Sequence, residues 1–155
     1  LHIDLGDDAI LLGSDLETHG SLGWPEVLAD AVCVGKRKAS KFKVSHHGSK
    51  TGHTDGIWSE LLLTGPVASL TPFNNGAVHL PKADDRARIK RLAGSAFITS
   101  NAKKKSTLNP SLKKRMLDIC ENLEPYDSQF GIVRARRKFS SPAWEVELYG
   151  KAQKI

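Results

Sequence analysis

The chain has 155 residues, of which 39% are hydrophobic and 26% charged, and its formal net charge is +6. This composition is typical of a folded globular chain and excludes wholesale disorder. The length allows a single domain of roughly 100–150 residues or part of a larger one.

Cysteine content and hydropathy exclude two further classes of protein. Two cysteines, Cys33 and Cys120, cannot form a disulfide scaffold or a four-thiolate zinc site, so we expect reduced, half-buried thiols in a cytoplasmic protein. The longest apolar run is far shorter than the roughly 20 residues of a spanning helix, which predicts no membrane segment. The chain opens on Leu1 without a signal sequence, and we expect its true N-terminus to lie upstream.

Strand and helix signals alternate along the chain, which predicts an α/β sandwich. The turn Gly6-Asp7-Asp8 predicts a hairpin of two strands, Leu1–Leu5 and Ala9–Leu12. The next predicted elements are helix Glu26–Val32, strand Lys41–Ser45, a helix from Thr54 or Asp55 to Gly65, strand Val67–Thr71, loop Pro72–Pro81, helix Ala83–Leu92 and strand Ala96–Thr99. A helix is then predicted to begin at Asn109-Pro110, and one of its faces carries the apolar residues Leu112, Met116, Ile119 and Leu123. The last predicted elements are the strands Gly131–Arg136 and Trp144–Tyr149, which flank the turn Ser140-Ser141-Pro142.

The histidine pair His46-His47 is the most informative chemical feature. It follows a predicted strand and precedes the small-residue loop Gly48-Ser49, so both imidazoles lie at the edge of the sheet. Imidazole is the commonest protein ligand for transition metals. A histidine pair alone is weak evidence, because one of the two rings points away from any given site.

Two other polar residues follow predicted strands. Asp15 comes after the apolar run Ile10–Leu12, where a carboxylate can bridge metal ions or cap a helix. His79 follows the polar turn Asn74-Asn75-Gly76, where a histidine can line a site or bond its own backbone.

These three segments, in this order, resemble the metallo-β-lactamase-fold hydrolases. The similarity is to the metallo-β-lactamase-like domain of ComEC-type DNA-uptake proteins and their soluble relatives, which carry Gly-Asp-Leu/Ile-Glu, then Lys-Val-x-His-His-Gly-Ser-Lys, then Asn-x-x-Gly-His-Pro. The resemblance covers about residues 5–95. It implies that the chain is the C-terminal half of an αββα sandwich, with a metal-site half over 1–100 and closing helix and strands over 101–155.

The resemblance also implies roles for four residues. Asp15 would bridge two divalent metal ions, zinc by default or manganese, and His47 would be a terminal ligand. His46 would face the substrate, and His79 would lie at the rim of the site. A metal-activated hydroxide would attack the substrate, so Ser45 and Ser49 need no role beyond loop geometry.

The sequence departs from the family pattern at three places. Ser14 stands where the family usually has Gly, and Leu80 separates His79 from Pro81 after a longer loop. The His-x-His-x-Asp-His signature that supplies most ligands does not occur. We therefore expect half a site, completed by the N-terminal half of the same domain in the same polypeptide or a separate chain.

The uneven charge favours a polyanionic substrate. Residues 1–78 hold 6 basic and 9 acidic side chains, whereas residues 79–155 hold 17 basic and 8 acidic, which gives −3 and +9. Lys103–Lys105, Lys113–Arg115 and Arg134–Lys138 could contact phosphates or simply face solvent. The preferred function is a phosphodiesterase acting on nucleic acid or a nucleotide. The alternatives are a hydrolase of a small ester, thioester or lactam, and a non-catalytic subunit that retains the fold.

Overall fold

A computed structural model of the chain describes residues 1–100, 109–121, 130–139 and 141–155. The strands are β1 His2–Asp4, β2 Ala9–Leu12, β3 Thr18–His19, β4 Leu22–Gly23, β5 Ala39–Lys43, β6 Leu62–Leu70, β7 Phe73–Asn75, β8 Val78–Leu80, β9 Ser95–Ile98, β10 Gly131–Arg136, β11 Glu145–Gly150 and β12 Gln153–Lys154. The helices are α1 Trp24–Ala29, α2 Ala31–Val34, α3 Ala83–Leu92 and α4 Pro110–Leu117, with a 3₁₀ turn over His46–Gly48 and a π-helix over Ile57–Leu61.

The fold is α/β and centres on a six-stranded mixed sheet in the order β1-β2-β5-β6-β9-β12. Strands β2, β5, β6 and β9 are parallel, while β1 and β12 pair antiparallel at the two edges. Three separate hairpins are formed by β3–β4, β7–β8 and β10–β11. The carboxyl ends of the four parallel strands therefore lie along the same edge of the sheet, where polar residues after those strands can meet.

The hydrophobic core lies on one face of this sheet. Phe42 and Leu70 are buried there with the helical residues Trp24, Ile57 and Ile89. Because side chains alternate along a strand, Lys41 and Lys43 of β5 lie on the opposite face from Phe42. The sheet thus has one apolar, helix-covered face and one face that carries lysines.

Several predicted elements are confirmed. The β1–β2 hairpin forms, with the backbone N–H of Leu5 donating to the carbonyl of Asp8 across the turn. Helix α3 has the predicted bounds Ala83–Leu92. The predicted strand Gly131–Arg136 forms as β10, and the predicted strand Trp144–Tyr149 forms one residue later, as β11. These two strands pair antiparallel along their whole lengths, and the short strand β12, which was not predicted, follows them.

Other predicted elements are wrong in extent. The predicted helix Glu26–Val32 is two short helices, because Asp30 adopts an extended conformation and its carboxylate accepts from the N–H of Val32. The predicted helix ending at Gly65 stops at Leu61, and Gly65 lies inside β6. Hairpin β7–β8 forms within the predicted loop Pro72–Pro81.

The second half of the chain differs most from expectation. Helix α4 ends at Leu117 and buries no residue, and Ile119 is 86% exposed, so the predicted apolar stripe does not pack against the described chain. Leu123, Ser140 and Lys103–Lys105 lie outside the described residues. Both thiols are free, but Cys120 is exposed, unlike the half-buried Cys33. Among the described helices, none is long and apolar enough to cross a membrane.

Candidate functional site

The candidate site is built where β2 and β5 end side by side. Backbone pairing continues past both strands: the N–H of Gly13 donates to the carbonyl of Lys43 at 2.9 Å, and the N–H of His46 donates to the carbonyl of Ser14 at 2.8 Å. The approach is so close that a Cβ atom on Gly13 would lie 2.7 Å from Cβ of Ser45. Glycine is therefore required at this position.

The backbone at this point is strained. Ser14, His46 and His47 have φ values of 48°, 43° and 53°, and they are the positive-φ residues other than glycine within the described chain. Left-handed backbone costs an L-residue with a side chain roughly 1–2 kcal/mol. Strain of this kind clusters at functional sites, where the surrounding structure holds it in place. All three residues adjoin or belong to the predicted metal site.

Asp15 and His47 face each other across the two strand ends. Oδ1 of Asp15 lies 3.8 Å from Nε2 of His47. Nδ1 of His47 donates to the backbone carbonyl of Thr71 at 3.0 Å, so Nε2 is left as a lone-pair donor directed at Asp15. This tautomer, fixed by a backbone carbonyl, is the one found in metal-ligating histidines. The pair borders an open cavity of about 390 Å³, lined also by Leu12, Ser14, Lys43 and Thr71.

His46 points to a different set of partners. Its Nδ1 forms an ion pair with Oε1 of Glu17 and lies 3.1 Å from the hydroxyls of both Ser49 and Thr51. The Thr51 hydroxyl donates to Glu17 at 2.5 Å and is the main cause of a lowered Glu17 pKa. All of these contacts use Nδ1, and within the described part of the chain Nε2 of His46 has no hydrogen-bond partner. The two histidine rings therefore have different partners: His47 lies near Asp15, whereas His46 contacts Glu17, Ser49 and Thr51.

The loop that carries the histidines is fastened to α3. The guanidinium of Arg88 donates to the carbonyl of Gly48 at 2.8 Å and to Oδ1 of Asp85 at 2.8 Å. Gly48 has a φ of +80°, and a Cβ atom there would lie 2.8 Å from Cδ1 of Ile89. On the other side of the loop, the buried Ser45 hydroxyl donates to the carbonyl of Gly52 at 2.6 Å. The predicted structural role of Ser45 is therefore consistent with its contacts.

The structure places His79 apart from the other three predicted residues. His79 is exposed on β8, in register with Asn74, and no hydrogen bond or ion pair within the described residues joins it to Asp15, His46 or His47. A neighbour of His79 does reach the site, because the Phe73 ring lies 5.1 Å from the His47 ring. Hairpin β7–β8 therefore borders the site through Phe73, and not through His79.

Two donors are too few for a tight metal site. Tight protein sites supply three or four ligands, and the described residues contain no group of three or more His, Cys, Asp or Glu side chains that could hold a metal ion. The alternative reading of Asp15 as a helix cap does not apply, because β3 and not a helix follows it. Asp15 and His47 are thus suited in type and placement to share a metal ion with ligands from elsewhere.

Sequence reasoning assigned no role to four residues that shape this site: Glu17, Lys43, Thr51 and Thr71. Glu17 and Lys43 lie within the segments that resemble the family, so the resemblance could have identified them as candidate site residues. Thr51 and Thr71 act through a hydroxyl and a backbone carbonyl, for which the sequence offers no pattern.

The basic segment Arg134–Lys138 carries little free charge. Arg134 and Arg136 share a face of β10, as predicted, and both bind the carboxylate of Glu147. Arg137 is 11% exposed and binds Asp7 and Asp8, and Lys138 lies 3.7 Å from Glu145. By contrast, Lys113–Arg115 is exposed on α4. Because its side chains are paired within the protein, the segment Arg134–Lys138 is a weaker candidate for phosphate contacts than the sequence suggested.

Comparisons with family models, curated proteins and solved structures give no match to this chain. The functional assignment consequently depends on the residues described above.

Proposed function

We propose that this chain is part of a metal-dependent hydrolase with a metallo-β-lactamase-like αββα sandwich, related to the ComEC-type domain, that cleaves phosphodiesters. The observation that carries the proposal is the Asp15–His47 pair, 3.8 Å apart, with the proton of His47 fixed on Nδ1 by the Thr71 carbonyl. A carboxylate beside a neutral imidazole suits zinc and, second, manganese.

Each residue then has a definable task. Asp15 would bridge two divalent cations, and the free Nε2 of His47 would bind one of them. When bound, the cations supply Lewis acidity and an activated water-derived nucleophile. His46, paired with Glu17 through Nδ1, would donate an Nε2–H to negative charge that develops on the substrate. His79 on the neighbouring hairpin could reach only a substrate that extends past Phe73.

The remaining ligands must come from outside the described residues. Two donors do not fill a zinc site, so we propose that an N-terminal half of the same domain completes it, within one polypeptide or as a separate chain. The second half of the sequence, at +9, favours an anionic substrate such as nucleic acid or a nucleotide. A small ester, thioester or lactam as substrate, and a non-catalytic subunit, are the alternatives to test.

Metal binding is the first test. In calorimetric titration with Zn²⁺, we expect weak binding by this chain, abolished in Asp15→Asn and His47→Ala because each removes one of two donors. The matched control is His19→Ala, which removes an imidazole that is 73% exposed and outside the pair. Tight, stoichiometric zinc binding by these 155 residues alone would contradict the half-site interpretation.

A substrate panel is the second test. The metal-loaded, completed protein should hydrolyse bis(p-nitrophenyl) phosphate faster than p-nitrophenyl acetate or nitrocefin. Preference for either of the latter two would favour the small-substrate alternative. Full metal loading without turnover of any of the three would favour a non-catalytic subunit.

A further inference from the structure

Lys43 reaches the candidate site from the strand that carries the histidine loop. It ends β5, and its side chain lines the same cavity as Asp15 and His47. Its ammonium nitrogen lies 3.4 Å from Oγ1 of Thr71, while the carbonyl of Thr71 accepts from His47. One threonine thus holds the ammonium and the imidazole at the same wall of the cavity.

The ammonium of Lys43 lacks a strong partner. Lys43 is half-buried, and within the described chain no carboxylate lies within ion-pair distance of it. The 3.4 Å contact with a neutral hydroxyl is longer than a good hydrogen bond. Burial lowers the pKa of Lys43 against an opposing effect of Asp15. A partly buried cation held this way costs free energy.

Lys41, two residues earlier on the same face of β5, makes a useful contrast. Its ammonium donates to the Ser69 hydroxyl at 2.8 Å and to the carbonyl of Val67 at 3.4 Å. Lys41 is therefore bonded within the protein, at a point where it does not line the Asp15–His47 cavity. Of these two lysines, Lys43 is the one whose ammonium is open to a ligand.

We propose that Lys43 is a substrate-binding residue whose ammonium binds the anionic phosphoryl oxygens of a phosphodiester, next to Asp15 and His47. The inference rests on the proposed hydrolase function and adds a residue and a charge requirement to it. An ammonium is a common protein ligand for phosphate oxygens, acting as a point charge. A monoanionic phosphodiester placed in the cavity would supply a counter-charge at ion-pair distance from the ammonium, where the described residues place no carboxylate.

The test is a titration of this chain with dimethyl phosphate, a minimal phosphodiester, followed through the backbone amide signals of Thr71 and His47 by NMR. We expect Lys43→Gln to raise the Kd at least tenfold and Lys43→Arg to keep it within threefold. Lys90→Gln, which removes the same charge from an exposed position on α3, should leave the Kd unchanged.

A measurement of thermal stability tests whether the variant loses binding only because it no longer folds. Because Lys43→Gln removes a half-buried, unpaired cation, its thermal midpoint should equal or exceed that of the wild type. If glutamine at this position disturbs the fold, Lys43→Met keeps the aliphatic stem and serves as the second neutral variant, with the same expected rise in Kd.

Three results would overturn the inference: no binding of dimethyl phosphate, equal affinity in wild type and Lys43→Gln, or full displacement by equimolar acetate, which would indicate a carboxylate site. Its failure is distinguishable from failure of the hydrolase proposal. If zinc binding depends on Asp15 and His47 but phosphate binding is the same with and without the Lys43 ammonium, this inference alone is overturned. Lys43-dependent phosphate binding, together with no zinc binding by the completed protein, overturns only the hydrolase proposal.

Discussion

Replacing Ser14 by glycine should stabilise the protein. Ser14 has a φ of 48°, which costs a residue with a side chain roughly 1–2 kcal/mol relative to glycine. Glycine loses more conformational entropy on folding, about 0.5–1 kcal/mol. The difference leaves Ser14→Gly more stable by about 0.5–1 kcal/mol, or roughly 2–3 °C in Tm for a chain of this size.

The assay is urea unfolding, with Ser14→Ala as the matched control. The Ser14 side chain is exposed, so alanine keeps the backbone strain and removes only the hydroxyl; its free energy of unfolding should stay within about 0.5 kcal/mol of wild type. If glycine is no more stable than alanine, the left-handed backbone at Ser14 does not carry the cost assigned to it. Zinc affinity measured on the same variants would show whether the strain also positions Asp15.

Three further predictions concern buried charge and the histidine pair. Arg137→Met should lower the free energy of unfolding in urea by about 3 kcal/mol, because it leaves the buried carboxylate of Asp8 without its cation; a loss below 1 kcal/mol would contradict this. Burial lowers the pKa of Lys41 from 10.5 to about 8; the unfolded chain therefore binds more protons between those values, so stability should rise from pH 8 to 10.5. The rise should be smaller in Lys41→Met, in which only Lys43, whose pKa burial also lowers, still contributes to it; an unchanged rise would contradict this. In the completed protein, His47→Ala should lower the metal content measured by atomic absorption as well as turnover, whereas His46→Ala should retain metal and lose about 10²–10³ in turnover; the reverse result would exchange the two roles.

Features set by local chemistry were predictable from the sequence. The turn Gly6-Asp7-Asp8 determines the first hairpin, and Pro81 before α3 and Gly94 after it delimit a helix whose bounds match the expectation. The sequence placed Asp15 and His47 in one site only through the family resemblance, whereas the parallel pairing of β2 and β5, after which both residues lie, comes from the structure.

Features set by tertiary contacts were not. Leu61 and Leu62 fit a helical period, yet Leu62 pairs with Ala39 and begins β6, since the sheet requires a strand there. His46 has a left-handed backbone and packs closely against Gly52, where a Cβ atom would lie 2.8 Å from Cβ of His46; the sequence contains no signal for either feature. The orientation of His46 depends on Glu17, which reaches it across the chain.

The backbone bonds that continue β2 and β5 to Ser14 and His46 have a consequence for metal selectivity. Asp15 and His47 each lie one residue beyond the last of these bonds. The register of the sheet therefore sets the distance between them, and contact between their side chains does not. Either donor can therefore be exchanged without moving the other. A thiolate or imidazole at position 15 would give a softer donor set at nearly the same spacing, and a carboxylate at position 47 a harder one. In the proposed metal site, the sheet would determine where the two donors lie, and the side chains at positions 15 and 47 would determine which cation they prefer.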